Sequence, residues 1–211
     1  MGVGSPSRLR WLACAALSSA TVAGCSHVID GSAVRQPLIG EADCPKVAAP
    51  MTMILPNRDG EPLMRIPEPQ DWQRTTMLDS EVIRYMMRNP SLAASAAVTI
   101  EDVTNTTETP QEIIAAEWAG ATAVVGATDV IATSDDPVCG FPAQTVTFKV
   151  PTRGALPNLT GVSLCVVTTG TPRHAVVVTV QSANPDDPTY EADSRTILDG
   201  FQVMLERGGH T

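Results

Sequence analysis

The residues best placed to do chemistry in this 211-residue chain are its five cysteines and three histidines. Cys25 stands out by position, because it closes the run Val22-Ala23-Gly24-Cys25, in which small residues lead straight to a thiol. A thiol so presented is a nucleophile suited to acylation. The histidines offer less. His27 and His210 lie near the chain's two ends, and a histidine-based triad would have to use His174, for which no Gly-x-Ser-x-Gly elbow supplies a nucleophile. Next to Arg173 at the head of a strand pattern, His174 reads as a surface turn residue.

Metal chemistry finds no His-Glu-x-x-His helix, no paired Cys-x-x-Cys and no calcium loop. Asp135-Asp136 and Asp186-Asp187 stand beside prolines and read as turn and cap residues. Gly120 and Gly126 flank a helix end and do not make a phosphate cradle. The expectation is therefore a chain with no catalytic residue, no metal and no cofactor. Cys165, in Val-Ser-Leu-Cys-Val-Val, reads as an inert strand cysteine. Trp72, Tyr85 and Met87 are the candidates for a ligand or partner surface. Trp72 follows Asp71 in a proline-bounded loop and could line a groove, although covering a sheet edge is its more ordinary job. Met86 and Met87 beside Tyr85 could make an adaptable apolar surface, but strand alternation leaves only one of the two methionines exposed.

The elements that position Cys25 come first in the chain. Arg8 and Arg10 precede an uncharged apolar run from Trp11 to Val22, the n-region and h-region of a secretory signal. The run is about a dozen residues, short of the roughly 20 that a spanning helix needs. Val22-Ala23-Gly24-Cys25 then resembles the bacterial lipobox, which implies cleavage before Cys25, a diacylglycerol on its thiol and an extracytoplasmic, membrane-tethered product. Two or three acyl chains make a durable anchor where one does not. Residues 1–24 are thus read as signal, 25–43 as an acylated tether, and 44–206 as one domain.

Cleavage removes two of 14 basic residues and leaves 12 against 23 acidic ones, a formal charge of −11 on 187 residues. That sign argues against nucleic acid and against adhesion of the domain to anionic headgroups. The acids are scattered, as on a solvated surface. Once Cys14 leaves with the signal and Cys25 carries lipid, Cys44, Cys139 and Cys165 remain, of which two should pair in an exported protein. A hairpin around Ala155 and Leu156 would set Cys165 opposite about Val146, far from Cys139, so Cys44–Cys139 is preferred. Cys139–Cys165 stays open if the loop register differs.

Along the chain, Met51–Leu55 and Leu63–Ile66 flank the turn Pro56-Asn57-Arg58-Asp59-Gly60 and read as paired strands. Val82–Met87, stopped by Asn89-Pro90, and the alternating Ala96–Val103 follow as strands. Thr109-Pro110-Gln111-Glu112 is a capping box that opens a helix carrying Ile114, Trp118, Ala121 and Val125 on one buried face, with Gly126 as its stop. Ala143–Val150, Val162–Thr168 and Ala175–Gln181 predict an antiparallel meander. Asp187-Pro188 opens a second helix bearing Tyr190, Ile197 and Leu198, and Phe201, Val203 and Leu205 alternate in a closing strand. This is an α+β pattern, an antiparallel sheet with helices packed on it.

The order of a lipobox, a tether, Cys44-Pro45-Lys46-Val47-Ala48-Ala49-Pro50, Ile66-Pro67-Glu68-Pro69-Gln70-Asp71-Trp72, Val98-Thr99-Ile100-Glu101-Asp102-Val103, Cys139-Gly140-Phe141-Pro142-Ala143 and Ile197-Leu198-Asp199-Gly200-Phe201 resembles the LpqN/LpqT lipoproteins of mycobacteria and related actinobacteria. The resemblance covers most of residues 44–205. It implies a PsbP-like α/β/α sandwich in the cell envelope and a non-catalytic role in envelope lipid assembly or with partner proteins. The Trp72 segment and the Cys139-Gly140 turn would be scaffold, with no catalytic residue to carry over.

Two functional expectations follow. The first is a lipid-anchored accessory module, held to the membrane through Cys25, that binds an envelope protein. The second is a carrier with a lipid or other apolar ligand between sheet and helices.

Overall fold

The computed structural model describes residues 38–151 and 157–206; the signal region, Cys25 and most of the expected tether lie outside the described residues. Seven strands form the large sheet, in the order β3 (Gln73–Arg74), β4 (Ile83–Asn89), β5 (Ala94–Asp102), β9 (His174–Ser182), β8 (Leu159–Val167), β7 (Ala143–Val150) and β6 (Thr128–Ser134). All neighbours are antiparallel. The strands expected to belong to the same sheet at the two ends of the domain instead make a second, three-stranded sheet, β1 (Met51–Ile54), β2 (Leu63–Pro67) and β10 (Gln202–Met204).

Side-chain parity assigns the layers. Leu164 and Val166 on β8, Val176, Val178 and Val180 on β9, and Ala96, Val98 and Ile100 on β5 face the main core with Tyr85 and Met87 of β4. That core is closed by helix α2 (Pro188–Asp199), through Tyr190, Ile197 and Leu198, and by Met64, Ile66 and Val203 of the small sheet. The alternate residues, Cys165, Val167 and Ala175, face helix α1 (Pro110–Val125) and its Ile113 and Ile114. The molecule is α+β, with helices on both faces of the large sheet.

Both helices start where their caps dictate. Glu112 N–H donates to Thr109 Oγ1 (3.3 Å) while Thr109 N–H donates to the Glu112 carboxylate (2.7 Å), and Gly126 ends α1 in the left-handed region. Asp187 Oδ1 accepts from the Thr189 and Tyr190 amides ahead of α2. The closing strand differs from its expected alternation: Gln202, Val203 and Met204 are all buried, because β10 is an edge strand with β2 on one side and α2 and the N-terminal segment around it. The packed domain also begins before residue 44, since Ile39 exchanges hydrogen bonds with Leu205 and residues 41–43 form a 3-10 turn; residues 38–43 are domain, not tether.

Cys44 and Cys139 are bonded, closing 95 residues of chain and fixing the N-terminal segment to the turn before β7. A loop of that length stabilises the fold by roughly 4–5 kcal/mol in the chain-entropy view. Cys165 is free and buried under α1. Its partner across the hairpin is Gln144, and Val146 faces Ser163, two residues from the expected register, because β8 begins at Leu159.

At one end of the large sheet, where β4 and β9 begin and β5 ends, a polar cluster is sealed into the structure. Arg84 and Glu61 form a buried ion pair at 2.6 Å, and Arg84 also donates to the Leu55 carbonyl (2.9 Å). Burial pushes the Glu61 carboxyl up, but hydrogen bonds from Arg84 and from the Asn57 and Arg58 amides outweigh it and hold the pKa below the ordinary value. His174, expected at the surface, is only 4% exposed. Its parity on β9 sends the ring to the core side beside Ile100 and Asp102, and the loop at Gly60 and Pro172 covers it. Its amide donates to Thr168 Oγ1 (2.8 Å), while Nδ1 has no protein partner among the described residues. Desolvation lowers its pKa, against the opposing pull of the Asp102 and Glu61 carboxylates.

Two outcomes follow from this cluster. Removing one member of the Arg84–Glu61 pair leaves a buried charge alone, so Arg84→Met or Glu61→Leu alone lowers unfolding free energy in urea by about 3 kcal/mol, whereas the double variant recovers most of it. His174 is neutral in the fold and binds its proton more readily when unfolded. Melting temperature therefore falls as pH drops through about 6.5 toward the lower folded-state pKa, and His174→Gln flattens that part of the profile.

Candidate functional site

The three residues proposed for a binding surface are all buried. Met87 is fully enclosed and Met86 is the methionine turned outward, because β4 parity places Tyr85 and Met87 together on the core side. Tyr85 donates its hydroxyl to the Glu68 carboxylate, has Arg74 over its ring at 4.4 Å, and is raised in pKa by burial and by Glu68. Trp72 packs in the main core and its indole N–H donates to Asp193 on α2 (2.8 Å). It pins the helix rather than lining a groove.

A site does exist on the opposite face. Helix α1 is seated over the sheet only through its first half, where Ile113 and Ile114 contact Cys165, Val167 and Ala175. Trp118 is half-buried, and its indole N–H donates to Gln144 Oε1 (2.7 Å), whose amide in turn reaches Asp135. Beyond Trp118 the helix is less well covered: Ala121 is partly buried, Val125, expected on the buried face, is exposed, and so is Val124. The end of the helix overhangs the sheet instead of resting on it.

The space beneath is a cavity of about 370 Å³. Its roof is Trp118, Ala121 and Val125, its floor and walls Val146, Phe148, Val150 and Leu159. These strand residues share the α1 side by register, as Val146 pairs with Ser163 and Phe148 with Gly161. Gly161 is required here: a Cβ would lie 2.6 Å from the Phe148 ring and 2.9 Å from the Val180 carbonyl. The ring occupies the place of the missing side chain and forms one end wall.

Among the polar groups in the lining, Ser163 and Thr179 satisfy each other at 2.7 Å and Gln181 Nε2 donates to Ser95 Oγ (3.4 Å), which leaves little demand for a polar ligand. A volume of this size, walled by aliphatic and aromatic groups with a few hydroxyls, falls in the range of ligand pockets.

On the other flank of α1 runs a more open groove that includes Thr99, Glu101 and Glu117. It shares Trp118, Ala121, Val125, Ser163 and Thr179 with the apolar cavity, so the two spaces meet beneath the overhanging half of the helix. Desolvation, and then the Glu101 carboxylate, raise the pKa of Glu117. Cys165 nearby is pushed well above the ordinary thiol range by burial, so it is not a nucleophile at neutral pH. A third depression, of about 720 Å³ beside α2, carries Asp43, Thr133, Asp136, Glu191 and Arg195 in its walls and is the more polar of the spaces.

Sequence reasoning placed Trp118 and Ala121 on the inner face of α1 but assigned them to filled core. The usable signal lay in the small residues Ala119, Gly120, Ala121 and Ala123, which give the second half of α1 little with which to fill a gap.

No family profile matches the chain, and no curated protein matches it significantly. Among solved structures, the chain is similar to LpqN of Mycobacterium tuberculosis, described as involved in cell envelope biogenesis, at 14% identity and a TM-score of 0.55, over 74% of this chain and 91% of LpqN. It also matches cyanobacterial PsbP from Synechocystis at 14% identity and a TM-score of 0.48, over 75% of this chain and 94% of that one. The likeness to LpqN, at 14% identity, is one of fold.

Proposed function

We propose that the chain is a lipid-anchored, non-catalytic binding domain of the cell envelope that holds an apolar chain in the cavity beneath α1. The observation that carries this reading is the cavity itself. A helix that could rest on the sheet along its whole length leaves about 370 Å³ between Trp118, Ala121 and Val125 above and Val146, Phe148 and Leu159 below. Well-packed interiors leave few voids larger than a water molecule, so a space of this size and lining is suited to an occupant. Each methylene buried there contributes about 0.8 kcal/mol.

Of the two readings open at the level of sequence, a partner-binding module and a carrier, the cavity favours the carrier. The envelope location rests on the n-region, the h-region and Val22-Ala23-Gly24-Cys25, and gains support from the fold shared with LpqN, a protein involved in cell envelope biogenesis.

Native mass spectrometry of the mature protein taken from its own envelope should show a lipid-sized increment on Cys25 and, separately, a dissociable apolar ligand. Ala121→Phe fills the roof of the cavity. It should reduce ligand occupancy at least about tenfold, a loss of roughly 1.4 kcal/mol in binding, with far-UV circular dichroism unchanged. Wild-type protein that carries no ligand and takes up no long-chain amphiphile would end the carrier reading, and a missing increment on Cys25 would end the anchoring one.

A further inference from the structure

The end of the large sheet that holds the Arg84–Glu61 pair also carries four of the nine large exposed apolar side chains among the described residues. Met77 is 85% exposed, Leu55 63%, Val82 56% and Leu78 50%. They are grouped by the chain's own connections. Arg84, at the start of β4, donates to the carbonyl of Leu55, and Arg58 pairs with Glu81, so the β1–β2 loop lies against the segment that enters β4. Met77 and Leu78 sit in the same entering segment, between Arg74 and Asp79, which are themselves paired.

Beside these side chains Asp79, Glu81 and Glu61 are matched by Arg74, Arg58 and Arg84, while Asp59 and Asp102 at the same end add two further acids. Protruding apolar side chains next to arginine-paired carboxylates suit contact with a lipid headgroup layer.

A second, independent observation is where the N-terminal chain enters. Ile39 is bridged antiparallel to Leu205, next to Met204, whose partner on β2 is Leu63, two residues from Glu61. Because β2 also runs antiparallel to β10, Leu38–Ile39 runs parallel to β2, and Leu38 lies toward the start of β2, at this same end. Between Cys25 and Leu38 lie residues 26–37, 12 residues, so the two ends are at most about 45 Å apart.

We infer that the end bearing Leu55, Met77, Leu78 and Val82 is the face that rests on the bilayer in which the acyl chains of Cys25 are inserted, with Met77 and Leu78 entering the headgroup layer. The inference rests on the anchoring reading of Cys25 and does not depend on the carrier reading. The domain's exposed apolar residues then add to the acyl chains as a second, weaker membrane contact that sets orientation.

The test uses the mature, acylated chain reconstituted in phosphatidylcholine–phosphatidylglycerol vesicles, with Met77→Cys carrying an environment-sensitive nitrobenzoxadiazole label. Cys44 and Cys139 are bonded and Cys165 is buried, so the introduced thiol is the one labelled. Asp186→Cys, at the opposite end of β9, serves as the comparison. The expected result is a blue shift at position 77, with loss of emission to spin-labelled lipids, and neither at position 186. Vesicle-bound protein whose label at 77 is unshifted and unquenched overturns the inference while leaving the anchor intact. A shift at 77 that needs an added envelope protein overturns it in favour of a protein partner. Failure of the intact chain to bind vesicles overturns the anchoring reading and this inference with it.

Discussion

The architecture depends on two adjacent strands whose side chains are apolar on both faces. In β8 and β9, Leu164, Val166, Val176 and Val178 look one way and Cys165, Val167, Ala175 and Val177 the other. Strands of that kind commit a sheet to being covered twice. One face receives the larger cover, because α2 and the three-stranded sheet pack on it together, with an open depression left beside α2. The other receives a single 16-residue helix. One helix about 10 Å across cannot shield seven strands spaced almost 5 Å apart. The cavity and the groove on either side of α1 are what that shortfall leaves.

Much of this was legible in the residues, and for identifiable reasons. The helix starts were plain because Thr109, Pro110 and Glu112, and Asp187 with Pro188, act through contacts a few residues apart. The meander was plain because alternation over eight or nine residues has one interpretation. Met87 and Tyr85 were harder. The face taken by a short strand flanked by arginines is decided by its neighbours, here Ala96 and Val98, and not by its own pattern. His174 was misread for a related reason: its burial comes from the Gly60 loop more than a hundred residues earlier folding over Pro172. The cavity has no local signature at all, because it depends on how far α1 stands from the sheet.

The disulfide and the Ile39–Leu205 bridge act on the same part of the molecule. β10 has only three residues, and a short edge strand at the end of a chain is the kind of element that frays. It is held because α2 delivers Phe201 and Val203 into the main core, and because the segment leading to Cys44 lies along it, with Gln202 donating to the Pro45 carbonyl. The N-terminal segment thus clamps the last strand, and the disulfide carries the clamp across to β7.

The antiparallel order gives the domain two structurally different poles. The strands are about 30 Å long, and α1 starts at the pole where β5 ends and runs toward the pole where β6 begins. Its loosely seated half, with Phe148, Val150 and Leu159 beneath it, therefore lies at the far pole from Leu38, where the chain continues toward Cys25. On the proposed reading, attachment and cargo would be separated by the length of the sheet. Such a protein would exchange its cargo on the side facing away from its mooring, so a donor or acceptor would approach it from the opposite direction without competing for the surface that holds it in place.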